Sequence, residues 1–253
     1  MVLVMYDESF AGFLTAVFEV YEYKWDDVQI VKQSASNATI FGQQHTAQTD
    51  RQKAARVWKG LQRYVSKTAL TALYHTWLSE LPSIEQTLLQ YIQYAFAKKM
   101  NVEEDFSNEA ILMITKTARK VHRERHRMEA FVRFQLTKDA LFYAVVEPDF
   151  NVLPLLINHF EKRYADQRWL IYDAKRKFGI HYDLEKVSYV QLSFAEALSG
   201  TNVQSVYDEK EQMYQTLWQK YFGSVNIKAR KNTKLHIQHM PRRYWKYLPE
   251  KRG

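Results

Sequence analysis

The sequence predicts an α+β fold, because the spacing of its apolar residues changes twice along the chain. From residue 9 to residue 127, apolar side chains recur every three or four positions, as on the buried face of a helix. From residue 132 to residue 192 they alternate with polar side chains, as in half-buried strands. Helical spacing returns near residue 205. Helices, then a mostly antiparallel sheet, then further helices form an α+β arrangement.

This order divides the chain into two parts. Residues 1–127 form a mainly helical part with a short N-terminal strand, and residues 128–253 form an antiparallel sheet with a crossover helix and a basic, helical C-terminus. No segment rich in proline, glycine and serine separates the two parts. They can therefore also pack together as one domain.

The first part begins with a predicted strand at Val2–Tyr6 and a helix that Ser9 is placed to cap. The residues at 28–31 are compatible with a strand, and Asp50 is placed to cap the second helix. Four basic residues share the polar side of that helix: Arg56, Lys59, Arg63 and Lys67. Further helices are predicted at 68–80, from Pro82 onward, and at 111–127 with Ser107 or Asn108 as the cap.

The second part begins with a predicted hairpin that turns at 138–139. A helix at 152–164, capped by Asp149 or Asn151, crosses between two strands. A helix at 205–221 precedes short helices in the basic C-terminal segment. The predicted strands lie at 132–136, 142–146, Trp169–Asp173, 178–183 and 187–192.

Two scarce residue types exclude several classes of protein. The chain has no cysteine, which excludes thiol nucleophiles, disulfides, cysteine zinc sites and cysteine-held iron–sulfur clusters. Glycine occurs 7 times in 253 residues, and no two glycines are closer than 18 positions. Dinucleotide fingerprints, P-loops and nucleophile elbows each need two or three neighbouring glycines. The sequence contains none of these three motifs.

Hydropathy predicts a protein without a membrane span. No apolar run approaches the roughly 18 residues that a membrane-spanning helix requires. Asp7 and Glu8 interrupt the first apolar stretch, so we expect no signal peptide. The expected location is the cytoplasm.

The positive charge is concentrated near the end of the chain. The formal net charge is +8, with −3 in residues 1–110 and +11 in residues 111–253. Residues 224–253 alone have a net charge of +8, and Tyr244, Trp245 and Tyr247 lie among their basic residues. Such a composition is typical of a polyanion contact, and the alternative is a solvated basic tail.

Two histidines on the predicted helix at 111–127 could chelate a metal. His122 and His126 are four positions apart and share a helix face, but Glu124 is not adjacent to His122 as the metalloprotease motif requires. Three arginines lie nearby at spacing four: Arg119, Arg123 and Arg127. Because arginines repel cations and attract phosphate, we predict an anion-facing surface or a solvated helix end before a metal site.

Acidic residues close two of the predicted strands. Glu147-Pro148-Asp149 follows one strand, and Asp173-Ala174-Lys175 ends the other. This pattern resembles the signature of magnesium-dependent restriction-type nucleases, in which two carboxylates hold the metal and the lysine positions the attacking water. The helix between the strands departs from the tight hairpin usual there. The alternative is a helix cap at Asp149 and a turn at Asp173.

Long blocks of the sequence resemble one bacterial family, described as "probable DNA metabolism protein". These blocks are YDESFAGFLTAVFEVYEYK, HRMEAFVRF, EPDFNVLPLLINHFEKRYADQRWLIYDAKRKFG and YFGSVNIKARKNTKLHIQHMPRRYWKYLPEK. The resemblance implies a role in DNA repair or modification beside a protein of the radical-SAM class. Related domains occur fused to uracil-DNA-glycosylase-like domains. No catalytic residue can be carried over from this family.

Three hypotheses follow. The first is a DNA-binding accessory protein without a cofactor. Its predicted contacts are Arg230, Lys231, Lys234, His239, Arg242, Arg243, Tyr244, Trp245 and Lys246, extended by His126, Arg127 and Arg133. The second is a magnesium-dependent nuclease using Asp149, Asp173 and Lys175. The third is an adaptor that binds an acidic protein and does not contact DNA.

Overall fold

The computed structural model describes residues 1–35, 43–138, 140–191, 237 and 239–251. The fold is α+β, as the sequence predicts, with one parallel sheet and one mixed sheet. The chain divides into two units, Met1–His122 and Arg123–Gly253, and the boundary falls inside a long helix.

The first unit contains a three-stranded parallel sheet formed by β1 (Val2–Tyr6), β2 (Val28–Lys32) and β3 (Gln43–Thr46). Strand β1 is central, because Val4 pairs with Ile30 on one side and with His45 on the other. The periodicity does not predict β3, whose sequence QQHT is polar and mostly exposed. Hydrogen bonding to β1 therefore defines this strand in the absence of an apolar pattern.

Five helices begin in the first unit: α1 (Phe10–Glu22), α2 (Arg51–Gln62), α3 (Lys67–Trp77), α4 (Ile84–Lys98) and α5 (Glu109–Phe131). Ser9 and Asp50 cap α1 and α2 as predicted, and Asn108 caps α5. Helix α5 continues past the predicted end at 127, with Met128 on its buried side. Within the described part of the chain, no helix is both long enough and apolar enough to cross a bilayer.

The second unit contains a five-stranded sheet with the order β4-β5-β6-β7-β8. Only β5 and β6 pair in parallel, and helix α6 (Leu153–Arg163) connects them. The other three pairings are antiparallel, so the predicted mostly antiparallel sheet with a crossover helix is confirmed. The strands are β4 (Gln135–Leu136), β5 (Phe142–Val146), β6 (Trp169–Asp173), β7 (Phe178–Tyr182) and β8 (Val187–Val190).

Two local predictions in the second unit are wrong. The strand expected at 132–136 is only two residues long, because α5 continues to Phe131 and the Arg133 guanidinium donates back to the carbonyls of Ala130 and Val132. Neither Asp149 nor Asn151 caps α6, whose N-cap is Val152 without a side-chain hydrogen bond.

The parallel pairing of β5 and β6 places two sequence motifs side by side. Val146 pairs with Asp173, so both strands end at the same edge of the sheet. The amide of Ala174 donates to the carbonyl of Val146 at 2.9 Å. Residues 147–149 therefore follow one strand next to the turn at 174–177.

Gly12 provides a test of the packing at the start of α1. A Cβ atom at this position would lie 2.1 Å from Asp7 Oδ1 and 2.8 Å from Thr49 Oγ1. We expect Gly12→Ala to lower the free energy of unfolding by about 1–3 kcal/mol, although alanine is the better helix former. Urea unfolding measures this change. Gly60→Ala is the control, because its Cβ would meet only the end of the Phe96 ring, at 3.1 Å. Equal midpoints for the two variants would contradict the prediction.

Candidate nucleic-acid interface

Asp173 ends β6 as a fully buried carboxylate with several hydrogen-bond donors around it. Its Oδ1 accepts from the amides of Lys175 and Arg176 at 2.9 and 3.1 Å, which fixes the turn after the strand. Its Oδ2 accepts from the Arg176 guanidinium at 2.9 Å. Burial raises the pKa of Asp173, and Arg176 opposes that rise. The turn predicted at Asp173 is therefore present.

Arg176 also connects Asp173 to the loop after β5. Its guanidinium donates to the carbonyl oxygens of Pro148 and Asp149, both at 3.1 Å. The Lys175 ammonium lies 3.4 Å from the same Asp149 carbonyl oxygen. The nuclease-like residues thus lie at one sheet edge, and the buried Asp173 carboxylate is paired with the Arg176 guanidinium.

Glu124 on α5 is a second buried carboxylate, with a side chain only 2% exposed. Its Oε1 accepts from the Asp149 amide at 2.9 Å and from the Tyr244 hydroxyl at 2.5 Å. Its Oε2 accepts from the Arg243 guanidinium at 3.1 Å, and Arg127 lies 3.6 Å away. Burial, together with the Glu124 carboxylate, raises the pKa of Tyr244 well above its usual value, so Tyr244 stays a neutral donor.

The C-terminal segment, residues 240–251, is held at two further carboxylates. Glu147 pairs with Lys246 and accepts from the Tyr247 hydroxyl at 2.6 Å, and these hydrogen bonds lower the pKa of Glu147. Glu250 pairs with Arg133 at 2.9 Å. Since both contacts join residues about 100 or more positions apart, they attach the segment to the sheet unit.

Arg243 connects the buried and the exposed ends of this network. Its guanidinium lies 2.7 Å from Asp149 Oδ2 as well as 3.1 Å from Glu124, and it also contacts the Tyr244 hydroxyl. The Asp149 side chain is half exposed, so this second ion pair lies at the surface. We name four of these acidic residues the carboxylate cluster: Glu124, Glu147, Asp149 and Asp173.

Trp245 lies beside two cationic side chains on the C-terminal segment. The Arg242 guanidinium is 5.9 Å and the Lys251 ammonium 5.1 Å from its ring centroid, within cation–π range. Its indole N–H donates to the Met240 carbonyl at 3.0 Å. Arg242 is exposed and forms no ion pair with any residue that the structure describes. His239 is also exposed.

The structure places the predicted DNA contacts in different settings. Arg242 and His239 are exposed without an ion pair among the described residues. The other described basic contacts each lie near a carboxylate, although three of them, His126, Arg243 and Lys246, are also exposed: His126, Arg127, Arg133, Arg243 and Lys246. Tyr244 requires a correction, because its ring is buried and cannot stack on a base in this conformation. Three predicted contacts and the helix expected at 205–221 lie outside the described residues: Arg230, Lys231 and Lys234.

Sequence reasoning missed Glu124 and Arg176 as organising residues. Glu124 lies three positions after Val121 and four before Met128, both buried on one side of α5. A carboxylate at a position on the apolar side of a helix indicates a buried, paired charge, and this pattern could have identified Glu124. Arg176 gave no comparable signal, because its partners depend on the pairing of β5 with β6.

The described residues contain no grouped set of metal ligands. Across the ranges that the structure describes, no three histidine, aspartate or glutamate side chains are grouped so that they could hold one metal ion. His126 lies 3.5 Å from Glu129, and His122 stacks on His75 with centroids 6.5 Å apart. The two histidines that the spacing would allow to chelate a metal therefore have other neighbours.

A family comparison matches most of the chain, residues 82–250, to the family described as domain of unknown function DUF4130. The chain belongs to this family. The DUF4130 match includes α4, α5, the five-stranded sheet and the C-terminal segment as far as Glu250, and so the whole carboxylate cluster. No curated protein matches the chain. The family description gives no activity, so function is argued from the site.

Removing the Glu124 carboxylate tests whether it holds the C-terminal segment. In Glu124→Ala, the Asp149 amide and the Tyr244 hydroxyl lose their acceptor. We expect the free energy that holds the segment in place to fall by about 2–3 kcal/mol. Hydrogen exchange of the Tyr244 and Leu248 amides then becomes faster, on the order of 100-fold. Hydrogen exchange measures this. Glu129→Ala is the control, since it removes only contacts within α5. Unchanged exchange in Glu124→Ala would exclude this role.

Proposed function

We propose that this protein is a DNA-binding accessory factor in bacterial DNA repair or modification, acting in the cytoplasm with a radical-SAM partner. The proposal rests chiefly on one observation. Each of the four carboxylates already has an arginine or lysine partner, while Arg242 stays exposed beside Trp245 and His239 is exposed as well. The four carboxylates are therefore neutralised locally, and Arg242 is left as an exposed cation without an ion pair among the described residues.

The chemistry of these side chains suits a phosphodiester backbone. Arginine donates several hydrogen bonds in one plane to phosphate oxygens, and contacts of this kind position a protein without reading sequence. Trp245 adds a half-buried aromatic ring between two cations. The proposal therefore concerns sequence-independent binding.

The radical-SAM partner enters through the sequence resemblance. Radical-SAM chemistry needs an iron–sulfur cluster, which cysteine thiolates hold. This chain has no cysteine. In the proposed pair, the partner would hold the cluster and this protein would contribute contacts to DNA.

Arg242 provides the direct test of this interface. We expect Arg242→Ala to weaken binding of a fluorescein-labelled DNA duplex and to reduce the slope of log K against log salt by about 1, because one phosphate contact is lost. Anisotropy titrations at several salt concentrations measure both. Arg163→Ala is the control, as it removes an exposed arginine at the end of α6. Equal slopes in the two variants would remove Arg242 from the interface.

A second candidate function is the magnesium-dependent nuclease, which the placement of Asp149, Asp173 and Lys175 at one sheet edge favours. We rank the nuclease below the DNA-binding factor, because these carboxylates already have partners within the protein. Both oxygens of Asp173 accept hydrogen bonds from the protein, and Asp149 is paired with Arg243. Asp173 would have to exchange Arg176 for a cation before it could serve as a ligand.

Incubation of labelled DNA with the protein in magnesium or manganese separates the two candidates. We expect binding without cleavage, and we expect Asp173→Asn to lower stability because Arg176 loses its buried partner. Cleavage by the wild-type chain that Asp173→Asn abolishes, at a temperature where both are folded, would replace our proposal with the nuclease. Failure to bind DNA, combined with co-purification with an acidic partner at high salt, would favour the adaptor.

A further inference from the structure

Helix α5 presents a row of basic side chains that the carboxylate cluster does not use. All four are exposed, and none forms an ion pair with a residue that the structure describes. We name them the α5 row: Lys116, Arg119, Lys120 and Arg123. The sequence predicts an anion-facing surface or a solvated helix end at Arg119 and Arg123, but the DNA contacts predicted from charge density lie mainly in residues 224–253.

The row occupies one continuous face of the helix. At about 100° of rotation per residue, its four members and Arg127 fall within an arc of roughly 100°. The opposite side is buried through Ile114, Val121 and Met128. No acidic residue occurs from residue 110 to residue 123, and the next one, Glu124, is buried. On this face, Arg127 alone has a carboxylate neighbour within the helix, Glu124 at 3.6 Å.

The length of the row matches a nucleic-acid backbone. From Lys116 to Arg123 the helix axis rises by roughly 10 Å at about 1.5 Å per residue. Successive phosphates of one DNA strand are about 3.4 Å apart along the duplex axis. A straight row of this length can therefore face several phosphates of one strand, with neighbouring cations one helical turn apart.

The α5 row also differs from the C-terminal cations in what a phosphate must displace. Arg243 and Lys246 already contact Glu124, Asp149 and Glu147. A phosphate at either residue would have to replace a carboxylate, so the net gain is reduced. A phosphate at Lys120 or Arg123 displaces water and counterions only, which is the exchange that favours protein–DNA association.

A lipid surface is the less suitable partner for this face. Helices that lie in a membrane interface insert an apolar face between the lipids. The apolar side of α5 is buried in the protein, and the exposed residues between 116 and 127 are all basic or histidine.

We infer that the α5 row is the main phosphate-binding surface of this protein and that it docks on duplex DNA without reading its sequence. This inference rests on the proposed function.

A double substitution with a matched control tests the inference. Lys120→Ala/Arg123→Ala removes two exposed charges from the row, and alanine preserves the helix. Lys59→Ala/Arg63→Ala removes the same residue types from the exposed side of α2 and the residue after it. Both variants therefore have the same net charge. Circular dichroism verifies that both are folded, and anisotropy titrations use two labelled duplexes of unrelated sequence between about 50 and 200 mM salt.

We expect the α5 variant to bind both duplexes more weakly and its salt slope to fall by about 2, while the α2 control keeps the wild-type slope. Equal slopes for the two variants would overturn the α5 assignment and leave the proposed function in place if Arg242→Ala still weakens binding. Absence of DNA binding by the wild-type chain would overturn both. Binding to phosphatidylserine vesicles that depends on Lys120 and Arg123, without any effect of these residues on DNA, would replace DNA with an anionic membrane.

Discussion

The arrangement of the sheet unit depends on the need to satisfy one buried charge. The Glu124 side chain is 2% exposed, and an unpaired carboxylate so far from water would cost several kcal/mol. Its partners come from three separate stretches of chain: the Asp149 amide, the Tyr244 hydroxyl and the guanidinium groups of Arg243 and Arg127. Helix α5, the loop after β5 and the C-terminal segment therefore meet at this carboxylate.

Pairing with carboxylates also determines which basic residues are available at the surface. Arg243, Lys246 and Arg133 lie in the basic second half of the chain, yet each is paired with a carboxylate. Their charge stabilises the attachment of the C-terminal segment and contributes less to the field outside the protein. The α5 row has no such partners among the described residues. Local pairing, more than charge density, therefore decides where a polyanion can bind.

The acidic motifs show why residue types alone do not establish a reaction. The parallel pairing of β5 and β6 places Asp149, Asp173 and Lys175 at one edge, as a nuclease would require. Arg176 then binds Asp173 and the carbonyls of Pro148 and Asp149. One additional side chain changes a candidate cation site into an internal ion pair that fixes a turn.

The features that depend on near neighbours were available from the sequence. The caps at Ser9 and Asp50, the strand Trp169–Asp173 and the α+β class all follow from patterns within a few residues. The tertiary contacts of single side chains could not be predicted in the same way. Periodicity gave no signal for β3, because a polar strand is stabilised here by backbone pairing with β1.

The sequence by itself determined most of the helices and strands, the absence of cysteine chemistry and the basic character of the second half. Only the tertiary structure decided that Tyr244 is buried, that Asp149 binds Arg243 instead of capping α6, and that α5 presents the unpaired cations. The physical reason is distance along the chain. The hydroxyl of Tyr244 and the carboxylate of Glu124 are 120 positions apart, and no local pattern encodes a contact of that separation.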